Sequence, residues 1–154
     1  MKGRILASSI ASPTIDTAEG VAWHLDALMA RVPALRPMRE AVGVVMPRVN
    51  PKGFAGMAKV ICGQQLSVAS AAAIWGRYEN LPGALAPESY LGLSEEAVRA
   101  TGFSRGKYVA LRVVAEAIVG GELDLAHIDA LPAEEATARL VALKGIGHWT
   151  AEVY

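Results

Sequence analysis

The chain has 154 residues, 53% of them hydrophobic, and its 15 basic and 15 acidic side chains leave no formal net charge. This length is enough for one domain with a buried core. The neutral balance argues against a protein that coats nucleic acid, and the single cysteine excludes an internal disulfide and any cysteine-based zinc or iron–sulfur site. No apolar run reaches the roughly 18 residues of a membrane span, and no convincing secretory signal is present, so we expect a cytoplasmic protein.

Charge is unevenly distributed along this neutral chain. Residues 1–60 hold eight Lys/Arg and four Asp/Glu, whereas residues 61–154 hold seven and eleven. Any affinity for nucleic acid would therefore rest on a local patch and on oriented backbone amides. The alternative is that the basic residues form an ordinary solvated face.

The first third of the chain predicts two helices. Residues 1–15 show no clear period and predict an irregular terminus. Asp16-Thr17-Ala18-Glu19 resembles a capping box and starts a helix whose apolar residues keep helical spacing until Pro33. A second pattern runs from Leu35 to Val45 and is closed by Pro47.

The segment from Gly53 to Tyr78 is almost continuously apolar or small, which predicts helices central to the core. Gln64-Gln65-Leu66-Ser67 interrupts it. Ser67 could simply be the N-cap of a second helix. Alternatively, Gln64 and Gln65 lie exposed on a tight turn between two buried helices.

Helical patterns continue to the end of the chain. Ser94 begins a short helix that ends near Gly102, and Ser104 caps a longer one that ends at Gly120-Gly121. Pro132 starts a helix over about residues 133–142. No segment alternates with a period of two over a useful length, so the whole chain is predicted to be all-α.

The stretch from Leu143 to Tyr154 predicts an anion-binding turn. Gly145 and Gly147 flank Ile146, so the backbone turns tightly and several amides can point outward together. Thr150 opens a further helix, whose positive dipole end would face the same anion. The alternative is a tight connection between two helices that binds nothing.

Two motifs carry a resemblance to a known family. Leu-Lys-Gly-Ile-Gly-His-Trp-Thr-Ala at residues 143–151, with Ile-Cys-Gly-Gln-Gln-Leu-Ser at 61–67, resembles the helix-hairpin-helix/Gly-Pro-Asp DNA glycosylase superfamily, in particular its DNA-3-methyladenine glycosylase II type. The resemblance implies a helical bundle that forms one domain over residues 1–154, with the hairpin at about 133–154. It also implies a base-excision repair enzyme that flips alkylated bases out of double-stranded DNA and hydrolyses the N-glycosidic bond.

The resemblance assigns roles to individual residues. Gln65 would fill the gap left by the flipped base and Gln64 would support the turn, while Lys107 and Arg105 would reach either phosphate or solvent. The DNA-contacting set comprises Gly145, Ile146, Gly147, His148, Thr150, Gln64 and Gln65.

Trp149 indicates the reaction type. Relatives that also cut the backbone carry a lysine there, because a Schiff base with the sugar requires an amine, so tryptophan implies a monofunctional hydrolase. The Trp149 ring either lines the base pocket or packs the second hairpin helix. No cofactor is required, and the resemblance allows a monovalent cation on the backbone carbonyls of Val141, Leu143 and Ile146.

The family's catalytic aspartate follows the second hairpin helix, beyond Tyr154. We therefore expect a C-terminally truncated bundle, inactive as given, that self-associates through uncovered apolar surface. Two other functions stay open. One is a non-catalytic helix-hairpin-helix DNA-binding module, and the other is a helical protein-interaction domain.

Overall fold

The computed structural model describes residues 12–154, where every regular element is helical, and the all-α prediction is confirmed. The chain separates into two compact units, Met1–Val49 and Asn50–Tyr154. Of the irregular terminus predicted for residues 1–15, residues 1–11 lie outside the described part. In residues 12–154, no helix is long and apolar enough to cross a membrane.

In its described residues, 12–49, the first unit contains two α-helices. Helix α1 spans Ala18–Arg31, and the Thr17 hydroxyl caps it by accepting a hydrogen bond from the Gly20 amide at 3.0 Å. A short 3₁₀ turn leads into α2, Arg36–Val42. Helix α2 ends before the predicted Val45, because Gly43 adopts a left-handed φ of 70° that stops the helix.

The second unit, residues 50–154, contains eight helices. They are α3 Gly53–Gly63, α4 Val68–Tyr78, α5 Pro87–Tyr90, α6 Glu95–Ala100, α7 Arg105–Val119, α8 Leu125–Asp129, α9 Ala133–Val141 and α10 His148–Val153. The predicted caps are confirmed, since the hydroxyls of Ser67, Ser94 and Ser104 accept amide hydrogen bonds at the starts of α4, α6 and α7. The short helices α5 and α8 were not predicted.

Helix α3 lies at the centre of the second unit. It packs against α4, α7, α8 and α10, and Met57, Ala58 and Ile61 are fully buried. Tyr78 and Tyr90 are also fully buried. The Tyr78 hydroxyl donates to the Ala84 carbonyl at 2.7 Å, so its polar atom is satisfied inside the core.

Helix α4 is not buried as the sequence predicted. Tyr78 is its only buried residue, and Val68 at its start is 79% exposed. The helix is rich in alanine, whose small side chain leaves little apolar area in water, so a surface position costs little free energy. The prediction of two central helices therefore holds for α3 and is wrong for α4.

Candidate nucleic-acid interface

The hairpin connects α9 to α10 through residues 142–147. Gly145 lies at φ +93°, where an L side chain is strained, and Gly147 is the extended N-cap of α10. Helix α10 begins at His148, two residues before the predicted opening at Thr150. The turn lies on the surface, since Gly145, Gly147 and His148 are exposed.

The loop uses some of its amides internally. The Leu143 amide donates to the Leu140 carbonyl and the Ile146 amide donates to the Leu143 carbonyl, both at 3.1 Å. The Ile146 side chain is 4% exposed and belongs to the core. Ile146 was expected among the DNA contacts, but its N–H is engaged and its side chain is buried, so it anchors the turn from inside.

Other amides around the turn suit an anion. Gly147 and the first residues of α10 stand at a helix N-terminus, where the first N–H groups have no carbonyl one turn earlier in the helix. His148 is exposed beside them. Exposed N–H groups at such an end are an anion-binding arrangement of the kind that the glycine spacing predicted.

The hairpin rests on helix α7 at Gly145. A Cβ added to Gly145 would lie 2.7 Å from the Cβ of Ala110, a distance that real side chains do not tolerate. A Cβ added to Gly147 would meet nothing within 4 Å. The first glycine is thus explained by packing and backbone conformation, whereas packing within the protein does not require the second.

The two glutamines form a turn between α3 and α4. Gln64 is the C-cap of α3, and Gln65 follows with φ +54°, the one non-glycine residue of 12–154 in the left-handed region. Gln65 is exposed, while Gln64 is half-buried. Both predicted readings of this segment hold in part, because Ser67 caps α4 and the glutamines occupy a tight exposed turn.

A hydrogen bond joins this turn to the hairpin. The Gln64 side-chain Nε2 donates to the Thr150 hydroxyl oxygen at 2.7 Å, although the two residues are 86 positions apart. Thr150 is 3% exposed. The turn and the hairpin are therefore neighbours on the molecule.

The Lys107 amine binds the protein backbone, whereas the sequence predicted that it would reach either phosphate or solvent. Its Nζ donates to the Cys62 carbonyl at 2.8 Å, near the C-terminal end of α3. Burial lowers the pKa of the Lys107 amine, and burial raises the pKa of the nearby Cys62 thiol. Arg105 is exposed, with its Nε 3.7 Å from a Glu95 carboxylate oxygen.

Trp149 and Glu152 project from α10 beside the turn. Trp149 is 55% exposed, so about half of the residue is accessible, and its place in a base pocket stays a prediction. Glu152 is exposed on the same short helix. A shallow depression on this unit is lined by α6 and by Gly102 and Phe103, not by the hairpin.

The resemblance to the family implies that backbone carbonyl oxygens near the hairpin are ligands for a monovalent cation. The Leu143 carbonyl already accepts the Ile146 amide, which leaves one lone pair, and Val141 ends α9. Hard monovalent cations take such neutral oxygen ligands. Within residues 12–154, no group of three or more His, Cys, Asp or Glu side chains could hold a metal ion.

Comparison with known proteins identifies the family. The sequence profile described as HhH-GPD superfamily base excision DNA repair protein matches residues 58–148, which include both the glutamine turn and the hairpin. The chain belongs to the HhH-GPD superfamily. HhH denotes the helix-hairpin-helix, so the family match and the described hairpin agree.

The similar proteins are named for one activity, the removal of 3-methyladenine from DNA. DNA-3-methyladenine glycosylase 1 of Schizosaccharomyces pombe is 33% identical over 99 residues, covering 62% of this chain and 43% of that protein. The crystal structure of DNA-3-methyladenine glycosidase from Bacillus halodurans is 36% identical, with a TM-score of 0.65, covering 80% of this chain and 58% of that one.

One of the similar solved structures contains DNA. The Schizosaccharomyces pombe 3-methyladenine DNA glycosylase in complex with abasic DNA is 29% identical, with a TM-score of 0.70, covering 77% of this chain and 61% of that one. The chain thus spans roughly half the length of the relatives it matches.

Proposed function

We propose that this protein acts in base-excision repair as a DNA N-glycosylase that flips and removes alkylated bases of the 3-methyladenine type. The observation that carries the proposal is the 2.7 Å hydrogen bond between Gln64 and Thr150, because it brings a stack-penetrating turn and a phosphate-binding hairpin together. The glycosylase names of the relatives support the same substrate class.

In the proposed binding step, the two motifs act on different parts of double-stranded DNA. The amides at Gly147 and His148 hold a phosphate at the start of α10. Gln65, exposed at its left-handed φ, enters the gap that the flipped nucleotide leaves. The binding energy at both places offsets the cost of unstacking the base.

In the proposed chemical step, water replaces the damaged base. The bond between the sugar C1′ and the base nitrogen breaks and its electron pair leaves with the base, water oxygen bonds to C1′, and the carboxylate of the proposed aspartate beyond Tyr154 accepts the proton of the water. A base alkylated on a ring nitrogen is cationic and leaves readily, and the exposed ring of Trp149 can attract it. Tryptophan offers no amine for a Schiff base, so the reaction is monofunctional.

The proposal places the catalytic aspartate beyond Tyr154 and assigns no catalytic role to Glu152. The carbonyls of Val141, Leu143 and Ile146 would hold a monovalent cation, which would supply positive charge facing a DNA phosphate. No other cofactor enters the proposed reaction.

The proposed chemistry is tested by chromatography of bases released from methylated double-stranded DNA. We expect a longer form of the chain, with an aspartate past Tyr154, to release 3-methyladenine, and residues 1–154 alone to bind DNA without release. The product strand should stay intact until alkali is added, and borohydride should trap no covalent complex.

Two results would contradict parts of this proposal. Base release by residues 1–154 alone would show that the catalytic carboxylate is misassigned. Salt-sensitive duplex binding with no preference for damaged or abasic sites, and no release by the longer form, would favour the non-catalytic DNA-binding module.

A further inference from the structure

Two long-range hydrogen bonds converge on the glutamine turn. One runs from Lys107 Nζ on α7 to the Cys62 carbonyl, and the other runs from Gln64 Nε2 to the Thr150 hydroxyl on α10. Cys62 lies two residues before Gln64 and three before Gln65. The residues that lead into Gln65 are therefore tied to two separate helices.

The Lys107 contact is suited to the end of a helix. The last carbonyls of α3 have no N–H one turn later to pair with, and they carry the negative end of the helix dipole. An ammonium group there satisfies one orphan acceptor with a charge-assisted bond. Lys107 is half-buried, so this contact holds the amine partly out of water and against the protein backbone.

The conformation of Gln65 needs external support. A φ of +54° is uncommon for a residue that carries a Cβ, and such a residue keeps this conformation only where its surroundings fix it. Gln65 itself is exposed, so its own side chain supplies little packing. A backbone hydrogen bond from the Leu66 amide to the Gly63 carbonyl closes the turn at 3.3 Å, and the contacts at Cys62 and Gln64 add support from two other helices.

We infer that Lys107 and Thr150 are positioning residues, which hold the Gln64–Gln65 turn in the shape that presents Gln65 to the DNA stack. The inference rests on the proposed function. It removes the Thr150 side chain from the DNA contacts that the sequence predicted, because its hydroxyl is buried against Gln64.

The test compares paired substitutions at each position. Lys107→Met and Thr150→Val remove the hydrogen bond with little change of size, whereas Lys107→Arg and Thr150→Ser keep a donor or a hydroxyl. Affinity is measured by fluorescence anisotropy for two duplexes, one with a central tetrahydrofuran abasic site and one unmodified. Thermal unfolding by circular dichroism verifies that each variant is folded.

We expect Lys107→Met and Thr150→Val each to weaken binding to the abasic duplex by about tenfold, the scale of one well-formed hydrogen bond, and binding to the unmodified duplex by less than about twofold. The conservative variants should keep most of the preference for the abasic duplex. If Thr150→Val does not fold, Gln64→Met removes the same hydrogen bond by changing its other partner, which is only half-buried.

The possible outcomes separate the inference from the function beneath it. Equal loss on both duplexes would mean that these side chains bind the DNA backbone, and unchanged preference in the variants would mean that they do not position the turn. Either result overturns the inference while the proposed function stands. No preference in the unsubstituted chain would overturn both.

Discussion

At the scale of single residues, the two hairpin glycines have different explanations. Gly145 combines a left-handed φ with contact against Ala110, so its lack of a side chain is a requirement of the fold. Gly147 has ordinary extended dihedrals and open space around it. In the proposed function, the DNA phosphate approaches the backbone at Gly147, and a glycine there leaves room for it.

Alanine at each glycine should separate these explanations. Gly145→Ala should lower the free energy of unfolding by about 2–4 kcal/mol, since it adds left-handed strain and a clash. Gly147→Ala should change that free energy by less than about 1 kcal/mol, because the lower entropy of the unfolded chain is offset by a poorer N-cap, yet it should weaken duplex binding by about tenfold. Urea unfolding and anisotropy titrations measure the two effects.

The helical protein-interaction alternative gives a different pattern for the same pair. If the protein is a protein-interaction domain, both substitutions change only its stability, because the unsubstituted chain does not bind DNA. Unaltered duplex binding by a stable Gly147→Ala variant would contradict the phosphate-binding role of the turn.

At the scale of elements, local signals in the sequence predicted more than packing did. The capping hydroxyls of Thr17, Ser94 and Ser104 and the breaks at glycine and proline located α1, α6 and α7. Helices α5 and α8 were not predicted, because four or five residues are too few to show a hydrophobic period. The surface position of α4 was not predicted, because the periodicity of a sequence does not show which neighbouring elements cover a helix.

In the candidate site, too, the local features were predicted from the sequence and the contacts between distant residues were not. The motifs indicated the glutamine turn and the hairpin, since each is contiguous in sequence. The bonds from Gln64 to Thr150 and from Lys107 to Cys62 span 86 and 45 positions, and no local pattern reports contacts over such separations. The sequence indicated Lys107 only as a residue that reaches phosphate or solvent and did not indicate Ala110, so the contact of Lys107 with Cys62 and the contact of Ala110 with the hairpin were not predicted.

Helix α7 supports the hairpin through Ala110 and the turn through Lys107, so its cap should matter for stability. The Ser104 hydroxyl accepts the Lys107 amide at 3.3 Å. Ser104→Ala should lower the free energy of unfolding by about 1 kcal/mol, whereas Ser104→Asp should retain most of it. Urea unfolding gives both values, and equal stability of the two variants would show that the cap contributes nothing.

At the scale of the whole molecule, the two compact units have unequal packing. The shared core of buried residues lies within the second unit, which also carries the family match. Several large apolar side chains are exposed, among them Trp23 and Met38 in the first unit and Val68 in the second. Self-association and a single domain over residues 1–154 stay predictions of the sequence.

The neutral chain also bears on how DNA is held. With no net positive charge, the proposed DNA affinity would rest on backbone amides and on a few well-placed contacts. We propose that the hairpin and the glutamine turn act as one DNA-binding surface, with Gln65 as the residue that enters the stack.

The most direct measurement is the fluorescence of 2-aminopurine placed beside an abasic site in a duplex, because this base brightens when it is unstacked. The unsubstituted chain should raise the fluorescence on binding, and Gln65→Ala should bind with little or no rise. An equal rise with Gln65→Ala, or no rise with the unsubstituted chain at saturating concentration, would contradict the claim.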